Sequence, residues 1–115
     1  MRGFSLVELM IVLTIVGILA TLAYPTFQQQ IIKVHRKDGQ IALIQLAAQM
    51  INGETPTNLY SEQGFYKLEI TDITENAYTL HAIPIPGTLQ AEDPCGTLTL
   101  SHLNQKGPRP EVCWR

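Results

Sequence analysis

MRGFSLVELMIVLTIVGILATLAYPTF, residues 1–27, decides how the rest of this 115-residue chain is read. From Phe4 to Tyr24 it runs 21 residues with a single charged side chain, Glu8. As a helix rising 1.5 Å per residue, that span is roughly 31 Å long, about the hydrocarbon thickness of a bilayer. Ser5, Thr14 and Thr21 can return their hydroxyls to the helix's own carbonyls, so they do not oppose an apolar environment. Arg2 before the run and the small residues Ala20 and Ala23 near its end fit a secretory signal. The run is longer than a usual signal core, however. Neither a signal nor a plain membrane anchor uses Glu8, whose unpaired burial in lipid would cost on the order of a few kcal/mol.

Outward from this stretch the composition changes. Of the 8 Lys and Arg and the 10 Asp and Glu residues, only Arg2 and Glu8 precede Lys33. The chain therefore reads as an apolar N-terminal rod joined to a polar, globular remainder. That remainder is long enough for one small core, which excludes a multidomain enzyme. A formal net charge of −2 leaves no broad positive field for nucleic acid. No HExxH, CxxC, GxSxG or glycine-rich phosphate loop occurs, so no catalytic residue, cofactor site or metal site is assigned and an enzyme is not expected. His35, His81 and His102 read as surface or turn residues. The carboxylates Glu92 and Asp93 are too few for a calcium site.

Beyond Pro25 the apolar residues recur at helical spacing. Val34, Ile41, Ile44, Ala48 and Ile51 form a stripe that Leu43, Leu46, Ala47 and Met50 widen. Lys33, Arg36, Lys37, Gln40, Gln45 and Gln49 fall largely on the other side, as a solvated face or a contact between subunits. Gly53, with Pro56 close behind, supplies the stop. The expectation is one helix from about Phe4 to Asn52, bent at Pro25, which lacks an N–H, and loosened at Asp38-Gly39. Residues 53–64 read as a loop. Phe65–Thr71, Ala77–Ile83 and Gly96–His102 alternate as strands, with Tyr66, Leu68, Ile70, Tyr78, Leu80, Ala82, Leu98 and Leu100 inward. Asn104–Gly107 reads as a turn. The layout is α+β, a long helix on a small antiparallel meander. Cys95 and Cys113 allow one disulfide, which by chain entropy would contribute about 3 kcal/mol in an oxidising compartment; two free buried thiols are the alternative.

The opening resembles the N-terminus of type IV pilins: a short basic leader ending in Gly3, a hydrophobic Phe4 after it, Glu8 as the fifth residue beyond the cut, and a long apolar stretch. The run YTLHAIP, then LQAEDPCGTLTL, then a terminal Cys-Trp pair resembles the PilE-type head. It keeps Tyr78, Thr79, Leu80, Ala82, Pro84, Gln90, Ala91, Asp93, Cys95, Gly96, Leu98, Thr99, Leu100, Cys113 and Trp114. It departs from that pattern at Pro94 and in a short helix-to-sheet loop. The resemblance implies the type IV pilin fold, with the C-terminal loop closed by Cys95 and Cys113. It divides the chain into a leader (1–3), a transmembrane or filament-core helix (4–24), an amphipathic half-helix (25–52) and a head (53–115, disulfide region 95–113).

By the same resemblance, prepilin peptidase would cut between Gly3 and Phe4 and methylate the Phe4 amine. Glu8 would then pair with the Phe4 amine of a staggered neighbour and set filament register. The helix between Gly17 and Pro25 would be free to melt. The implied function is a structural subunit of a type IV pilus, a minor pilin, serving adhesion, twitching motility or DNA uptake. Its partners would be other pilin subunits, the peptidase and the inner-membrane assembly machinery. It would sit in the inner membrane with its head in the periplasm, and later in a pilus on the cell surface. A weak DNA-binding surface could form from Lys106, Arg109, Arg115 and Trp114. The alternatives are a type II secretion pseudopilin and a tethered binding protein that never assembles.

Overall fold

The computed structural model describes residues 3–114. Arg2 and Arg115, read above as leader charge and candidate phosphate contact, lie outside the described residues. The chain forms two compact units, one ending at Ile31 and the other beginning at Ile32.

Helix α1 spans Leu6–Ile51. It starts two residues later than the sequence suggests because Ser5 caps it. The Ser5 Oγ accepts from the Glu8 amide and the Glu8 carboxylate accepts from the Ser5 amide, both at 3.2 Å. This reciprocal Ser-x-x-Glu box satisfies two orphan donors of the first turn. Ser5 therefore turns its hydroxyl forward to an amide, not back to a carbonyl. Thr14 and Thr21 do bond back, to the carbonyls of Met10 and Ile18 at 2.7 Å. At the other end Gly53 takes φ +74°. Its N–H reaches the Met50 carbonyl at 3.2 Å and that of Glu54 reaches Gln49 at 2.9 Å. This is the paired closure that a left-handed glycine permits after a last helical turn.

In the second unit four antiparallel strands follow in the order β1-β2-β3-β4: β1 Tyr66–Thr71, β2 Thr79–Pro84, β3 Leu98–Ser101 and β4 Lys106–Gly107. The register sets Leu68 opposite Ala82, Ala82 opposite Leu98 and Leu80 opposite Leu100, so one sheet face is continuous apolar surface. A 3-10 turn at Leu89–Glu92 links β2 to β3, and a short helix α2, Pro110–Cys113, ends the described chain. Lys106–Gly107 was expected within a turn and is instead an edge strand. Gly107 lies so close to Thr99 that a Cβ there would stand 2.6 Å from its hydroxyl, so a larger residue would force Thr99 to shift.

The buried face of α1 differs from the expected stripe. Val34, Ile41, Ile44 and Ile51 are at least half exposed, and Ala48 is exposed. Of the expected face, Leu43 and Leu46 are in the core and Ala47 and Met50 pack against it; Gly39 and Ala42 join them, and Ile32 is buried as well. Asp38, Gly39 and the half-buried His35 interrupt that stripe in the sequence, and their presence hid its period. Nor does the helix loosen at Asp38-Gly39; α1 is helical throughout. Gly39 is there for close packing. A Cβ on it would lie 3.0–3.1 Å from the Tyr66 ring.

The core gathers Ala42, Leu43, Leu46, Tyr66, Leu68, Leu80, Ala82, Leu98 and Leu100 around Cys95 and Cys113, which are joined in a disulfide. Tyr66 has no exposed surface and its hydroxyl is held, so it cannot retreat from an added methyl. Gly39→Ala should therefore lose more by overpacking, about 1–3 kcal/mol, than alanine regains in helix propensity, about 1 kcal/mol. Denaturant unfolding of the full chain in detergent should show a net destabilisation of about 1 kcal/mol; a more stable variant would show that the ring can move.

Candidate functional site

The N-terminal unit presents its chemistry at one end. Gly3 and Phe4 precede the helix and Phe4 is 79% exposed. Glu8 sits one turn inside, its carboxylate on the Ser5 amide. Every described residue from Gly3 to Phe27 is exposed in the isolated chain. Gly17 and Pro25 both lie within α1, as expected from the sequence, and the helix is assigned on both sides of Pro25.

The second unit is closed by a polar lock. Arg36, on α1, grips Asp93 with two nearly parallel hydrogen bonds, Nε to Oδ2 at 2.8 Å and Nη2 to Oδ1 at 2.7 Å. Asp93 Oδ1 also accepts from the Cys95 amide at 3.0 Å, so the ion pair positions one end of the disulfide. Gln40 holds the other end, donating from Nε2 to the Cys113 carbonyl at 2.6 Å. Gln90, fully buried in the 3-10 turn, donates to the Ile32 carbonyl at 3.1 Å and to the Tyr66 hydroxyl at 2.8 Å. Arg36 and Gln40 are thus half-buried anchors, not part of a solvated face. His35 is half-buried as well, stacked on Phe65 with ring centroids 4.0 Å apart.

The hydrogen bond from Arg36 to Asp93 raises the guanidinium pKa further above its ordinary value, against the opposing effect of burial. Burial is also the main cause that pushes the Tyr66 hydroxyl up to about 12, partly offset by the bond from Gln90. With both oxygens held by Arg36, Asp93 is not free to bind a cation with Glu92.

The C-terminal corner gathers part of the candidate nucleic-acid surface. Lys106 Nζ lies 5.4 Å from the centroid of the half-buried Trp114 ring, within cation–π reach. Trp114 Nε1 donates to the Gly107 carbonyl at 2.8 Å, which fixes the plane of the indole. Arg109 is exposed at the start of α2. His81 is half-buried, paired with the Thr71 hydroxyl at 2.8 Å, and His102 is exposed.

Sequence reasoning missed Ser5 as a cap and the whole Arg36–Asp93 lock. The first had a readable signal in Ser-x-x-Glu before an apolar run. The second joins residues 57 apart and has no local signal, although Gln90 and Asp93 belong to the LQAEDPCG run.

Residues 1–24 match the prokaryotic N-terminal methylation motif. Residues 25–99 match the family described as type IV minor pilin ComP, DNA uptake sequence receptor. The chain is also 44% identical over 59 residues to the type IV major alpha-pilin and to fimbrial protein Q of Moraxella bovis. Each match takes in 48% of this chain, but only 37% and 38% of those pilins' own lengths.

Tyr66 yields a pH prediction. A raised folded pKa means stability is fully present below the unfolded value near 10 and is lost as pH rises through the folded value. Stability should therefore be unaffected by this group below pH 10 and fall by about 1.4 kcal/mol per pH unit from 10 to about 12. A pH-jump titration at 295 nm should show a late tyrosinate step that Tyr66→Phe removes.

Proposed function

The chain belongs to the type IV minor pilin family that its residues 25–99 match, and from that premise we propose that it is a filament subunit assembling through α1. The observation that carries this reading is the unpartnered apolar surface of α1. Phe4 to Phe27 is exposed throughout the isolated chain, and Val34, Ile41, Ile44 and Ile51 continue an exposed apolar series into the second unit. Monomeric soluble proteins rarely expose apolar surface on this scale, and a lipid bilayer and neighbouring helices are the two environments that would cover it.

In this reading residues 1–3 are a leader cut between Gly3 and Phe4, Phe4 is methylated, and 4–24 crosses the inner membrane before becoming filament core. Residues 25–52 and the head, 53–115, lie on the periplasmic side before assembly and at the cell surface afterwards. Glu8 sets register by pairing with the Phe4 amine of a neighbour. The segment from Gly17 to Pro25, weakened by glycine and by the missing proline donor, is where α1 would melt in the filament. The partners are other pilin subunits, the peptidase and the assembly machinery. The head's disulfide and the minor-pilin match favour a pilus subunit over a secretion pseudopilin.

Two variants test this. Glu8→Ala should leave cleavage of the precursor largely intact on immunoblots yet abolish filaments in sheared surface fractions. Ile41→Asp with Ile44→Asp, on an exposed face, should keep the disulfide and fold but reduce incorporation at least about tenfold, since it buries two charges between subunits. Normal incorporation of either variant would sink the assembly role of that residue.

A second reading, DNA capture by the head, is favoured by the family description and by Lys106 beside Trp114, a cation and a π-face at one corner. Full-length protein in detergent should shift a duplex at low salt, and Lys106→Ala should flatten the plot of log Kobs against log salt by about one unit. No shift at low salt would remove DNA from the function.

A further inference from the structure

We propose that a cleft of about 360 Å³ between the last turns of α1 and the 58–62 segment binds a neutral oligosaccharide. Its apolar lining comes from the core residues Ala42, Leu46 and Leu68. Its polar lining comes from Gln45 and Gln49, one helical turn apart, and from Asn58, Tyr60 and Glu62. The volume suits one or two sugar rings and falls within the range of small-molecule sites.

The polar lining selects the ligand class. A primary carboxamide offers two N–H donors and a carbonyl acceptor, which matches hydroxyl groups that both donate and accept. Gln45 and Gln49 supply two of these, and Asn58, whose carbonyl already accepts from the Tyr60 amide, adds two N–H donors. Glu62 adds a carboxylate able to accept from neighbouring hydroxyls by stronger, charge-assisted bonds. Tyr60, 53% exposed, offers an aromatic face to the C–H side of a sugar ring.

Other classes fit less well. Among the described residues lining the cleft, Glu62 carries the only charge, and its sign repels phosphate, so nucleic acid is disfavoured. One carboxylate is too little for a metal cation. A peptide adding as a strand needs free backbone groups, and several of those in the loop are engaged. The Leu59 carbonyl accepts from the Leu68 amide at 2.7 Å, the Ser61 amide donates to the Tyr66 carbonyl at 2.9 Å, and the Tyr60 amide donates to Asn58 Oδ1 at 3.1 Å. What is left is recognition by side chains of a neutral, hydroxyl-rich molecule. The site is separate from the Lys106–Trp114 corner and does not depend on the DNA reading.

The test is an amide-resolved NMR titration of the full chain in lauryldimethylamine oxide, a detergent without a sugar headgroup, with maltotriose, chitotriose and mannotriose as probes. At least one should shift the Gln45, Gln49, Asn58, Tyr60 and Glu62 signals with a Kd on the order of 0.1–1 mM, as expected for a ligand of this size in an open site. Tyr60→Ala and Glu62→Gln should each weaken that binding about tenfold, the first by loss of stacking and the second by loss of the charge-assisted bond. The core amides of Leu80 and Leu98 should stay in place, showing that the fold is intact. Absence of shifts with all three sugars, shifts elsewhere on the head, or unchanged affinity in both variants would overturn the proposal. So would a short single-stranded oligonucleotide shifting the same amides more strongly than the sugars.

Discussion

The second unit depends on the Arg36–Asp93 pair. Asp93 has a fully buried side chain and Arg36 is only 12% exposed, so both charges have left most of their water. Such a pair is not a source of net stability by itself, because desolvation offsets most of the Coulombic gain. Its consequence is specificity. The two-pronged geometry fixes where the 89–95 segment meets α1, and the Cys95 amide takes its direction from the same carboxylate. Once Asp93 is seated, Gln90 falls between the Ile32 carbonyl and the Tyr66 hydroxyl. The disulfide then carries the constraint on to Cys113, whose carbonyl Gln40 holds against the same helix. Removing either charge would leave the other buried alone, which is costlier than never having buried the pair.

This arrangement explains how so small a head can be ordered. A four-stranded sheet ending in a two-residue strand buries few side chains, and domains of this size are marginal without a covalent or ionic tie. Here the covalent tie and the ionic one act on the same segment, at Cys95 and Asp93. The apolar residues behind them need only fill the space. Tyr66 shows the compromise: its ring supplies the largest buried body of the core, while its hydroxyl requires Gln90 as a partner.

The elements that could be read from sequence are those whose signals are local. The apolar run, the glycine stop at Gly53, the alternation of β1, β2 and β3 and the presence of two cysteines all follow from neighbours in the chain. So does the family resemblance, carried by Gly3-Phe4, Glu8 and the LQAEDPCGTLTL run. Of the helix face against the sheet, Leu43, Leu46, Ala47 and Met50 were legible and the rest was not, because tertiary demands override periodicity there. Gly39 is small to admit Tyr66, and Asp38 and His35 are polar residues on a covered side. A reading that follows hydrophobicity alone settles on Val34, Ile41, Ile44 and Ile51, which are exposed in the isolated chain. β4 was missed for a related reason: two residues form a strand only because β3 lies beside them. The Lys106–Trp114 contact was half legible, since both residues could be named but not their approach.

The Ser5–Glu8 box bears on how a carboxylate can sit at the head of an apolar rod before it has a partner. In the isolated chain Glu8 accepts from a backbone amide at 3.2 Å in an exposed setting, a weak bond that nevertheless gives the charge a favourable place beside the positive end of the helix. Under the proposed cleavage, a charged amine is created at Phe4, immediately before the residue that Glu8 caps. An ammonium group adds a full charge–charge attraction that a neutral amide donor lacks, and that difference grows as water is excluded. Exchange of the cap for an amine, on its own chain or on a neighbour, is then downhill, and more so inside a bundle of helices than at an open end. The Ser5 hydroxyl can keep the Glu8 amide satisfied throughout, so the first turn need not unravel when the carboxylate changes partner.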